Sequence, residues 1–280
     1  MTIQTTLGKQ GGIIRIILVC LFLQFTAQGY TQETNYEIKD HLSQKNNIKL
    51  QIGYGVIPNG VIEVKEGIYD LYTKPHSIYS VDLIYQVNLN PSWSVNTGIG
   101  FMIIKSNFFE KIPINDLIGT GISRQEDSPP IIYYKGAYPR FSLPVLLQKR
   151  SKIINKSFFE FNGGFNINYN GFSKDERIIM NVADSNNQSI NIFNANYKSN
   201  NNHKPWFGLL LGCGKGFFLR DLNVVTVSLS AEVNTTKFLS ADYEIIIPNK
   251  PISTGRYSVK GPLLQLSLGY VFRGTHKNND

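Results

Sequence analysis

Cysteine is nearly missing. The 280-residue sequence has two, Cys20 and Cys213, and Cys20 falls within a leader-like segment. The single cysteine beyond that segment excludes an internal disulfide framework. The four histidines form no cluster with cysteine at metal-ligand spacing, so no metal is expected. After residue 23 no apolar run approaches the roughly 20 residues a helix needs to cross a bilayer. A membrane location would therefore require strands. Blocks of Lys or Arg are also missing, and basic residues do not interleave with aromatics on one face. A net charge of +8 without such a block gives no reason to expect nucleic acid as a partner. Gly212-Cys213-Gly214-Lys215-Gly216 lacks phosphate-loop spacing and sits in a strand pattern, so no cofactor is expected.

The N-terminus carries a targeting pattern. Lys9 and Arg15 precede an apolar run over 16–23, and Ala27-Gln28-Gly29 follows as a small-x-small site. A basic start, a short apolar core and a small-residue site make a secretory signal peptide over 1–29, cut after Gly29 or at a neighbouring bond. Val19 before Cys20, and the apolar run beyond it, argue against a lipoprotein. Cleavage would leave a net charge of about +6.

Eight segments alternate at period two, as strands do: 48–56, 79–89, 93–104, 138–149, 158–169, 206–218, 224–233 and 264–272. In the last, Leu264, Leu266, Leu268, Tyr270 and Phe272 share one face, opposite Gln265, Ser267, Gly269 and Val271. Across the set one face is apolar apart from Lys215 near a strand end, where its stem can snorkel. The other face holds Lys49, Asp82, Arg140, Glu160 and Glu232 among Asn, Gln, Ser and Gly. Links between segments strictly alternate, long (about 20 to over 30 residues) and short (under ten). Outer-membrane barrels have this asymmetry, with short periplasmic turns and long extracellular loops. A soluble β-protein is the alternative, but it has little reason to gather every long loop at one end.

The reading is therefore an all-β fold, an eight-stranded antiparallel up-and-down transmembrane β-barrel over 47–273, in contact with outer-membrane lipid. Residues 30–46 form a periplasmic N-terminal tail, with a helical turn or two around 36–42, and 274–280 a C-terminal tail. Eight strands leave an interior that side chains fill. Its charges must then pair or hydrogen-bond, and its glycines make room for longer partners. Tyr79, Trp93, Phe217, Tyr270 and Phe272 suit interfacial girdles. Pro144 within a strand predicts a bulge or distorted pairing. The Asn-rich stretch 186–202 reads as a flexible outer loop.

The segment Phe141-Ser142-Leu143-Pro144-Val145-Leu146-Leu147-Gln148-Lys149 resembles a strand of the small outer-membrane β-barrels of Bacteroidetes called PorT-like. Phe159 to Phe165 with Gly163-Gly164, Gly208 to Gly216, and Gly269-Tyr270-Val271-Phe272 are similar to other strands of that family. The resemblance implies an outer-membrane location and an eight-stranded barrel. One relative is linked to secretion and gliding machinery, and these motifs mark architecture more than activity.

No catalytic, cofactor-binding or metal-binding residue is assigned. His76, Ser80 and Asp82 share strand parity, but His76 and Ser80 would lie about 13 Å apart along a strand, against the ~3 Å a nucleophile and its base need. Their expected role is a lumen hydrogen-bond network. The preferred function is a structural or interaction role in the cell envelope, including accessory service to secretion-complex proteins. The alternatives are a lipid-modifying enzyme using rim residues such as His76 or His203, and a small pore.

Overall fold

A computed structural model describes residues 46–58, 60–110, 112–122, 132–170, 176–183, 187–199, 204–219, 223–237 and 239–272. The signal-peptide segment, the helical turns expected at 36–42, His41, His203 and His276 all lie outside the described residues.

The described residues form fourteen strands, numbered in chain order. Eight form the barrel: β1 (Asn46–Ile57), β4 (His76–Asn90), β5 (Trp93–Glu110), β6 (Tyr133–Arg150), β7 (Ser157–Asn170), β10 (Trp206–Phe218), β11 (Val224–Asn234) and β14 (Leu263–Phe272). Each is antiparallel to its neighbours in the order β5-β4-β1-β14-β11-β10-β7-β6, and β6 pairs back onto β5 to close the ring. All eight expected strands are present. Their apolar faces point outward, where Ile52, Leu83, Ile99, Leu143, Phe161, Leu209, Leu229 and Leu266 are exposed, and their polar faces point inward. Such an inversion of the usual soluble pattern is stable only against lipid.

Pro144 distorts pairing without a bulge. Thr97 pairs with Val145 and Gly100 with Ser142 in one register, but the two rungs between them are missing from the β5–β6 ladder. The β6–β7 ladder runs unbroken through Pro144 and Asn166. The proline, lacking an N–H, therefore weakens one side of its strand and leaves the residue count intact.

The long connections are not simple loops. Three of the long connections supply a second sheet, ordered β2-β13-β12-β9-β8: β2 (Val61–Glu66), β8 (Glu176–Ala183), β9 (Ser189–Ser199), β12 (Leu239–Ile245) and β13 (Ser253–Val259). A short strand β3 (Leu71–Thr73) lengthens the barrel wall along β5. The stretch read as a flexible loop thus contains β9, whose Ile192, Phe193, Ala195 and Tyr197 are buried.

One face of this sheet packs on the barrel mouth. Its Phe193, Tyr197, Ala241, Tyr243 and Tyr257 join Ile57, Ile78, Met102, Ile104, Trp206 and Leu263 from the barrel in one hydrophobic core. Rings knit the two parts: Phe108 of β5 lies 5.4 Å from Phe193 and 6.2 Å from Tyr257, and Tyr138 of β6 lies 6.0 Å from Tyr197. The second sheet is therefore a lid, folded onto the barrel through apolar burial.

Candidate functional site

The lumen is filled in layers. At the short-turn end Phe158, Phe218, Val224 and Val271 form an apolar plug, with the two phenyl rings 5.6 Å apart. Above the plug Arg150 donates to Asn88 (2.8 Å) and Ser94 (3.2 Å). Gln148 donates to Glu160 and accepts from Ser94, Asn96 and Gln86. The Lys49 Nζ lies 3.5 Å from Glu160. A space for about one water molecule remains among Asn47, Lys49, Arg150, Glu160 and Thr226.

In the middle layer Gln265 donates to Ser80 (2.7 Å), and Ser80 donates to Asp82 (3.4 Å). Toward the lid Arg140 donates to Glu232 at 3.0 Å, and Glu232 also accepts from Asn166 (2.7 Å) and Asn168 (2.9 Å). Both members of this ion pair are almost fully buried. Glycines on the inner face permit it: a Cβ on Gly208 would collide with the Glu232 carboxylate, and one on Gly269 with the Lys49 stem. Lys49 pairs with Glu160 and Arg140 with Glu232, Asp82 and Arg150 are hydrogen-bonded, and the glycines make room for the longer side chains, as expected.

His76 does not join Ser80 and Asp82. It is fully buried at the barrel mouth, its Nε2 3.0 Å from the Tyr257 hydroxyl, which in turn lies 2.9 Å from the Ser106 hydroxyl. These three side chains latch β13 of the lid to β4 and β5 of the barrel. The sequence hides the latch, because Tyr257 lies 181 positions from His76 on a short strand whose burial does not alternate throughout.

The outer face of the lid is mainly polar, with Val61 and Ile179 exposed beside the charged groups. A cross-strand row carries Glu63, Arg256, Asp242, Asn196 and Arg177 from successive strands. Asp242 takes bonds from Arg256 (2.9 Å) and Lys65 (3.2 Å), and Lys237 lies 3.8 Å from Glu63. The Arg256 hydrogen bond, with Lys65 beside it, holds the Asp242 carboxyl below its ordinary range. Beneath the row, burial and then the neighbouring Asp70 carboxylate raise the Tyr243 phenol well above its ordinary value. Tyr243 thus stays a neutral donor, 3.1 Å from Asp70.

Two aromatic and cationic rims bound the lipid-facing belt. At the short-turn rim Lys149 lies over Trp93 (5.5 Å), and Lys215 reaches both Phe159 (5.5 Å) and Phe217 (5.2 Å). Tyr270 and Phe272 complete that rim, 4.8 Å apart. At the long-loop rim Tyr54 and Tyr79 meet edge-on at 5.4 Å. The expected girdle residues sit at these levels, and Lys215 turns toward its rim.

A closed eight-stranded barrel with an apolar outer belt, two interfacial rims and a charged, paired interior is an outer-membrane β-barrel protein, and the chain is located in the cell outer membrane. No family model matches it, and no curated relative matches it in sequence. Among solved structures it is similar to the outer membrane protein OprG from Pseudomonas aeruginosa, at 12% identity over 83% of this chain and 99% of that chain, with a TM-score of 0.45. It is also similar to the outer membrane protein AlkL in lipid bilayers, at 13% identity over 83% of this chain and 93% of that one, TM-score 0.40. The outer membrane protease OmpT from Escherichia coli is a further likeness, at 9% identity over 81% of this chain and 97% of that one, TM-score 0.33. None of these likenesses is close enough to carry a role across.

Proposed function

We propose that the protein is an interaction module of the envelope, in which a sealed barrel anchors a folded platform outside the cell. One observation carries this reading: the long loops fold into a sheet that closes the barrel mouth and turns a charged, polar face away from it. Packed side chains also close the short-turn end, so the fold favours display over passage. In this reading a signal peptide over 1–29 directs export, the 30–46 tail lies in the periplasm, and the partners are envelope or secretion-complex proteins. The resemblance to PorT-like barrels is in keeping with accessory service to such a complex. The pore alternative has both ends of the lumen against it. The enzyme alternative has the burial of His76 against it.

Photo-crosslinking in intact cells tests the reading. A photoreactive residue at Asn196 or Thr254, on the outer face of the lid, is expected to give discrete protein adducts. Arg256→Glu, which makes the middle of the charged row acidic, is expected to reduce them several-fold. A chain that always isolates alone, with no envelope defect on deletion, would remove the proposal.

A further inference from the structure

We infer that Lys74 and Lys105 clamp a phosphorylated lipid headgroup in the leaflet at the long-loop end. Both lysines are exposed; Lys105 rests on the exposed Tyr79 ring and Lys74 on the Phe109 ring, which is itself mostly covered. The Lys105 Nζ lies 4.7 Å from the centroid of Tyr79, the lipid-facing ring that meets Tyr54 at the top of the belt. The Lys74 Nζ lies 4.9 Å from the centroid of Phe109, which is stacked on Tyr72 at 5.2 Å.

The placement follows from the ladders. β4 pairs with β5 up to Ser77 and Lys105, and β3 continues along β5 with Thr73 opposite Phe108. Lys74, between those rungs, therefore lies just beyond the end of the lipid-facing belt. Lys105 and Phe109 share one face of β5 four positions apart, roughly 13 Å along the strand. The two cations are thus spread along the wall in the direction a headgroup extends from its acyl chains.

Charge separates these lysines from the cations of the lid. Lys65 and Arg256 are engaged by Asp242, and Lys237 by Glu63. Among the described residues neither Lys74 nor Lys105 forms an ion pair. A ring face holds an ammonium group in place by its quadrupole but leaves its outer side free to accept an anion. Directly above a lipid-facing tyrosine, the anion in reach is a headgroup phosphate.

The test uses the whole protein in phosphatidylcholine nanodiscs doped with lipid A, with retained lipid read by native mass spectrometry. Wild type is expected to retain lipid A in preference to phosphatidylcholine. The K74Q/K105Q variant should lose on the order of tenfold of that preference. K65Q/K237Q, which alters only lid cations, should retain it. Heat-modified electrophoretic mobility verifies that each barrel is folded. Equal preference in wild type and K74Q/K105Q would overturn the inference. So would complete displacement of lipid A by inorganic phosphate alone, which would mark a site for the free ion.

Discussion

Phe193→Ala is expected to unfasten the lid and leave the barrel closed. Phe193 has no exposed surface, lies 5.4 Å from Phe108 of the barrel and 6.4 Å from Tyr243 of the lid, and pairs across to Ile245 and Met180. Truncating a buried phenylalanine to alanine costs about 3–5 kcal/mol through lost transfer energy and the cavity left behind. The lid strands are short, and their one shared hydrophobic core joins them to the barrel mouth. A loss of that size can therefore release the lid sub-globally while the membrane ladders persist. Limited proteolysis should cut within the lid segments 176–199 and 239–259 far faster than in wild type, with the heat-modified mobility of the barrel unchanged. Phe193→Leu, which keeps most of the volume, should show a smaller effect. An unchanged cleavage rate would show that the lid does not depend on this core.

Arg140→Met is expected to damage the barrel itself. It strands Glu232 in the lumen, away from water, where Asn166 and Asn168 are its other hydrogen-bond donors. Removing one member of a buried pair typically costs about 3–5 kcal/mol, because the remaining charge is desolvated and uncompensated. The midpoint of urea unfolding in lipid vesicles should fall accordingly. R140M/E232Q should recover part of the loss, since a neutral amide oxygen at position 232 still accepts from Asn168 and leaves no buried charge. Lys237→Met removes an exposed contact with Glu63 and should stay within about 1 kcal/mol of wild type. An Arg140→Met midpoint equal to that of Lys237→Met would mean that water reaches the lumen network and screens it.

The eight staves were legible because lipid enforces a strict rule. Leu264, Leu266 and Leu268 must all face hydrocarbon, so Gln265 and Ser267 must all face in, and one slip would reverse every side chain. Link lengths supplied the closure. The lid was not legible because its burial is mixed. On β9 both Ile192 and Phe193 are buried, and the pairing with β8 shifts between Met180 and Asn181, so period two breaks where the core is densest. On β13 the buried face carries Ser253 and Gly255 beside Tyr257, and the space a side chain at Gly255 would take is filled by the Tyr243 ring. Asn191, Asn194 and Asn196 gave the segment the composition of a loop, yet Asn191 accepts from the Phe193 N–H and helps to shape the bulge. Lumen pairing was legible as a requirement, whereas the partners depend on register: Arg140 and Glu232 meet from strands 92 positions apart.

Amide hydrogen exchange on the reconstituted protein tests most directly whether the long loops form a folded lid. Backbone amides of 192–197 and 241–245 should exchange orders of magnitude more slowly than an unstructured chain, approaching the protection of barrel strands such as β1 and β14. Exchange of those segments at the rate of a free loop, with β1 and β14 still protected, would contradict the account and leave only a barrel with mobile connections.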